Sequence, residues 1–269
     1  MQAVEFHFHE PPIIDFEAVR QRASEILGGE IEMPASEKDN AHLFAHVEHM
    51  IEYADRAAPP QTWLLQSDQP IKIENYAADI QQSWFCRDAE SLLAGATHSL
   101  LVTEMLSRRL EPATRMQLFH GVLQAVAEQL EPVAMVAKHS QQVVLVSDYL
   151  DAVDVPPIKR PGSLNMRFFN ISNTPGDKLM DTRGLTEIGL HDLQCHFREL
   201  EPNDVSAVLY NTAMYVFEKG LVLESGHTVE GIEPGSKWRC QFENALVPPE
   251  RQVLDLNPGA PYAAGRREE

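Results

Sequence analysis

Apolar and polar residues alternate in AVEFHFH near the start of the chain, a period of two that predicts a β-strand. The next segment, Asp15 to Leu27, has an acidic start and a Gly28-Gly29 stop, which predicts a helix. From Ala41 to Tyr53 the apolar positions Leu43, Ala45, Val47, Ile51 and Tyr53 favour a strand, although His42, His46 and His49 also fit helical spacing. Pro59-Pro60 then interrupts the chain before a short strand in TWLLQ. IENYAADIQQSWF and AESLLAG read as helices, and THSLLVTEML as a buried strand.

The clearest helix begins at Pro112, a residue favoured in the first turn, and places Met116, Phe119, Val122, Leu123, Val126 and Leu130 on one stripe before Pro132 ends it. With LLVTEM before it and VAMVAKH after it, this helix forms a β-α-β unit, compatible with an open α/β sheet or a ferredoxin-like split unit. LNMRFFNIS predicts a strand, and Pro202 to Lys219 a second amphipathic helix stopped by Gly220. VLES, HTVEGI, KWRCQFE and RQVLDL, separated by Gly and Pro turns, are the remaining strand candidates. The expected class is α+β, with mixed or antiparallel sheets, packed helices and split β-α-β units in two intimate lobes. DAVDVPPIKRPGS marks their boundary, giving an N-terminal α/β lobe over 1–150, a linker over 151–163 and a C-terminal α+β lobe over 164–269.

Composition narrows the partners. The 269-residue chain has 43% hydrophobic and 23% charged residues, enough apolar content to bury a core without a metal or disulfide staple. A formal net charge of −18 opposes nucleic acid and anionic lipid, and favours a protein partner with a basic face. The pairs Arg108-Arg109, Lys159-Arg160 and Arg266-Arg267 are scattered and read as solvated surface charge. No run of about 18 apolar residues occurs. Cys86, Cys195 and Cys240 are odd in number and lack CxxC spacing, which predicts reduced thiols in the cytoplasm.

Candidate chemistry concentrates in GLHDLQCHF, from Gly189 to Phe197. On a helix His191 and Cys195 share a face; on a strand Cys195 and His196 point to opposite faces. Zinc needs three or four ligands, and the remainder must come from distant His139, His227 or His98, so no metal is expected. A buried Cys195 beside a hydrogen-bonded His196 is the favoured reading. Phosphate-loop, dinucleotide, GxSxG, HExxH and EF-hand patterns do not occur, and no cofactor is expected.

THSLLVTEML, KHSQQVV, NMRFFNIS, LMDTRGL, DLQCHF, VEGIEPGSKWRC and LDLNPGAPYAAG together resemble a bacterial family known as domain of unknown function 4261, over about Ala41 to Arg266. The resemblance implies a family and carries no catalytic residue onto the chain. Two function classes follow. The first is a non-catalytic protein-binding or neutralising module of the immunity type. The second is an enzyme, such as a metal-assisted hydrolase, with a dispersed site drawn from His139, Asp181, His191, Cys195, His196 and His227.

Overall fold

The structure is a computed structural model that describes residues 1–35, 40–67 and 69–265. The Arg266-Arg267 pair lies outside the described residues. The chain divides into two compact units, Met1–Leu164 and Asn165–Glu269, and the class is α+β.

In the first unit, β1 (Ala3–Phe8) leads into α1 (Phe16–Leu27). Asp15 caps this helix by accepting the Ala18 N–H at 3.0 Å, and Gly28 ends it in the left-handed region at φ 66°. The strands β2 (Ile31–Glu32), β3 (Ala41–His46), β4 (Ile51–Glu52), β5 (Ala57–Ala58) and β6 (Gln61–Ser67) follow. The expected strand from Ala41 to Tyr53 is broken into β3 and the short β4, because the chain turns between them where the His49 N–H bonds to the His46 carbonyl. A 3-10 turn at Ile73–Tyr76 precedes the short helices α2 (Ala77–Gln81) and α3 (Ala89–Ala94). Then come β7 (His98–Met105), α4 (Pro112–Leu130), β8 (Ala134–Ala137), β9 (Gln142–Val144) and α5 (Val146–Asp151).

The main sheet of this unit has the order β2-β3-β6-β7-β1-β8-β9, with antiparallel neighbours throughout; β4 and β5 pair separately. Since β1 lies antiparallel between β7 and β8, the β7-α4-β8 unit is split by β1, the ferredoxin-like alternative. Even-numbered residues of β1, namely Val4, Phe6 and Phe8, face the core under α1 and α4 with Val122, Leu123 and Val126. The two helices approach closely at Gly121, where a Cβ would lie 2.6 Å from Leu27 side-chain carbons. The opposite face of β8 and β9 is covered by Tyr76, Ala89 and Leu93.

The stretch expected as a linker, 151–163, folds within this first unit. Ile158 is buried, the Gly162 N–H donates to Gln142 Oε1 at 2.9 Å, and Ser163 Oγ lies 3.2 Å from His120 Nε2.

The second unit contains β10 (Asn165–Asn170), β11 (Lys178–Arg183), β12 (Asp192–Phe197), α6 (Pro202–Lys219), β13 (Thr228–Glu230), β14 (Lys237–Asn244) and β15 (Gln252–Asn257). Its sheet runs β10-β11-β12-β15-β14-β13, with a parallel β12-β15 pair among antiparallel neighbours. VLES forms no strand; it is part of the connection from α6 to β13. Helix α6 buries Val205, Val208, Leu209, Ala213 and Val216 and packs over β11 and β12. Among the described residues no helix is long and apolar enough to cross a membrane.

Candidate functional site

GLHDLQCHF enters the second unit as strand β12, so its side chains divide between two sheet faces. Cys195 pairs across the ladder with Met180 and is fully buried. His196 points the other way, with Nε2 3.8 Å from Asp177 Oδ2, and Arg198 also binds Asp177, at 3.0 Å.

The face shared by His196 carries a transverse polar row. Cross-strand register aligns Arg167, Asp181, Gln194, Asp255 and Gln241 on five successive strands. Directly opposed residues share a face, so five polar side chains stand side by side where an apolar layer would normally form. Asp181, Gln194 and Asp255 are fully buried.

These groups are held by one another. Arg167 forks onto Asp181, with Nε 2.8 Å from Oδ1. Arg251 bridges two carboxylates, placing Nη2 2.8 Å from Asp181 Oδ2 and Nε 2.9 Å from Asp192 Oδ2. Asp192 also accepts from the Leu185 N–H at 3.1 Å, from Thr186 Oγ1 at 2.9 Å and from Thr182 Oγ1 at 3.3 Å. Arg183 reaches Asp192 at 3.4 Å and Glu187 at 3.2 Å. The guanidiniums of Arg167, Arg183 and Arg251 thus meet the carboxylates of Asp181, Asp192 and Glu187, which satisfies the condition for burying these three charges. Burial pushes the Asp192 carboxyl upward, and Arg251 and Arg183 oppose that shift.

The 245–251 segment closes this face. Leu246 donates its N–H to Gln194 Oε1 at 3.2 Å, and the Pro248 carbonyl accepts from Arg167 Nη1 at 2.8 Å. A general acid or base must present a proton or lone pair to a substrate. Here the Asp181 and Asp192 oxygens already accept internal hydrogen bonds, so the arrangement orders strands and loops.

The six residues expected as dispersed candidates occupy separate environments. His139 belongs to the first unit, with Nδ1 3.0 Å from the Ala3 carbonyl oxygen. His191 meets Phe242 edge-on at 4.7 Å, and burial lowers its pKa against the raising influence of Asp192. His227 sits on an exposed turn, where Nδ1 accepts the Glu224 N–H at 3.3 Å. Asp181 and His196 share a face, and Cys195 lies on the reverse one. The sequence reading missed Arg167, Arg183, Asp192 and Arg251; the signal was the spacing of charged residues within the strand segments MDTR and DLQ and beside QVLDL.

Among the described residues no group of three or more His, Cys, Asp or Glu side chains is placed to hold a metal ion. Cys86, Cys195 and Cys240 are buried and outside any disulfide, and burial pushes Cys240 up to about 11.

A mixed six-stranded sheet with a helix packed on it and a polar face laced by internal ion pairs defines an α+β domain. Residues 181–257 match the family model described as Domain of unknown function (DUF4261). The match covers β11 to β15, and with them Asp181, Asp192 and Arg251, a narrower range than the Ala41 to Arg266 resemblance. No curated protein and no solved structure matches the chain.

Proposed function

We propose that this chain is a protein-binding module of the neutralising, immunity type, acting in a bacterial cytoplasm on a partner with a basic face. The observation that carries this reading is a groove of about 530 Å³ on the second unit, between α6 and the β13 end of the sheet. Its apolar lining includes Tyr215, Leu223, Val229 and Ile232, and Tyr215 is 46% exposed. An aromatic side chain at the lip of a groove with mixed apolar and polar lining is the kind of group that anchors a protein interface. The net charge of −18 supports a basic partner through long-range attraction, and free thiols fit a reducing compartment. Only Asp181 and His196 of the six candidates share a sheet face, and this scatter favours the binding reading over a dispersed catalytic site.

Affinity capture from the native host tests the proposal. The expected result is a basic partner bound in stoichiometric amount, with affinity reduced at least tenfold by Tyr215→Asp. Turnover of a small molecule that Asp181→Asn or Cys195→Ser abolishes in folded protein would replace the binding reading with the enzymatic one.

A further inference from the structure

Strand β13 ends the six-stranded sheet and, among the described residues, pairs only with β14. The Cys240 N–H bonds to the His227 carbonyl, and the Gly231 N–H to the Ser236 carbonyl. These contacts fix the alternation of the ladder: residues 227, 229 and 231 direct their backbone groups toward β14. Thr228 and Glu230 therefore direct theirs toward the open edge. Val229 pairs with Trp238, a buried residue, and lines the groove beneath α6. An open edge with outward backbone groups thus lies beside a groove that carries apolar side chains among polar ones.

We propose, resting on the protein-binding reading, that β13 receives an extended basic and apolar segment of a partner protein as a seventh strand. Backbone hydrogen bonds to Thr228 and Glu230 set the register, and alternate apolar side chains of the added strand enter the groove against Tyr215, Val229 and Ile232. Charge selects the occupant. From Tyr215 to Arg239 the chain carries four glutamates against Lys219, Lys237 and Arg239, and Glu230, on the edge strand itself, is the charge that lysine or arginine at the intervening positions of the added strand meets first. Lys237 and Arg239 stand directly opposite Glu230 and Thr228 on β14 and share their sheet face, one strand further from the added strand than Glu230 itself. The same charge opposes a second copy of this chain, whose net charge is also −18. A short edge bearing a glutamate blunts self-pairing while leaving a basic strand acceptable.

The test uses the full chain and three synthetic hexapeptides: alternating lysine and valine, alternating glutamate and valine, and a lysine–valine peptide N-methylated at alternate backbone nitrogens. Binding is read by NMR titration and by exchange of the Thr228 and Glu230 amides. The expected result is binding of the lysine–valine peptide, at least tenfold slower exchange at both amides, and at least tenfold weaker binding of the other two peptides. Glu230→Lys, an exposed surface change, is expected to weaken the lysine–valine peptide at least fivefold and strengthen the glutamate–valine peptide. No binding at millimolar peptide, equal binding of the N-methylated peptide, unchanged exchange at both amides, or dimerisation through this edge would each overturn the proposal. If the peptide fails while Tyr215→Asp still releases the captured partner, the edge proposal falls alone. If the peptide binds as expected and the host yields no protein partner, the functional reading falls instead.

Discussion

The Nε of Arg251 lies 2.9 Å from Oδ2 of Asp192, joining residues 59 positions apart in a contact from which water is nearly excluded. The same guanidinium reaches Asp181, so one side chain compensates charge on two neighbouring strands. Removing it leaves carboxylates in a buried setting with part of their compensation gone. The cost of breaking such a pair is about 3–5 kcal/mol, well above that of an exposed ion pair. Arg251→Leu is therefore expected to lower the denaturation midpoint substantially. Arg251→Lys should recover only part of the loss, because an ammonium cannot reproduce the two-sided fork. Equal midpoints for Arg251→Leu and the parent protein would show that the network contributes nothing to stability.

The elements most legible in the sequence were those with local cues. Asp15 and Gly28 delimit α1, Pro112 opens α4, and Pro202 with Gly220 brackets α6, each through chemistry acting within one helical turn. The split of β7-α4-β8 by β1 was open to two readings because it depends on pairing between residues about a hundred positions apart. DLQCHF was harder still. It is buried on both sides as a strand, so its apolar residues give no one-sided pattern, and Asp192 and Gln194 look like solvent positions until their partners arrive. Those partners are remote: Arg251 is 70 residues from Asp181, and nothing near Asp181 in sequence announces that link.

The close approach of α1 and α4 gives a second expected outcome. A methyl group at position 121 would press into Leu27, and neither helix can retreat without opening the core around Val122 and Val126. Gly121→Ala is expected to destabilise the first unit by about 1–3 kcal/mol, the usual range for overpacking, despite alanine's higher helix propensity. Chemical denaturation would reveal it; a stabilised variant would mean that Leu27 yields freely.

Thiol accessibility provides a third measurement. The three cysteines are buried and in no disulfide, and burial raises the pKa of Cys86 and of Cys240. Reactivity requires an accessible thiolate, so a thiol reagent at neutral pH should label the native protein slowly and all three sites once it is denatured. Recovery of one thiol from denatured, unreduced protein would contradict the free-thiol assignment.

The pH dependence of stability follows from His7 on β1. Its side chain is fully buried and meets Tyr76 edge-on at 5.1 Å, and neither ring nitrogen has a hydrogen-bond partner among the described residues. Burial lowers its pKa to about 4, with Glu5 opposing the shift and Lys138 adding to it. Above about pH 6.5 the imidazole is neutral in both folded and unfolded chains, so it contributes no slope. As pH falls from about 6.5 toward 4, the unfolded chain takes up the proton and the folded chain resists it. Stability is therefore lost across that window, by roughly 3 kcal/mol for a shift of this size. His46 and His120 are also buried with lowered pKa values, so the total slope belongs to several groups. The informative quantity is the difference between the parent protein and His7→Phe, which keeps an aromatic ring beside Tyr76 and removes the titration. Denaturation at pH 7 and pH 4.5 should show the parent losing more stability than the variant, by up to about 3 kcal/mol. Identical losses would mean that His7 reaches solvent readily enough to titrate as it does in the unfolded chain.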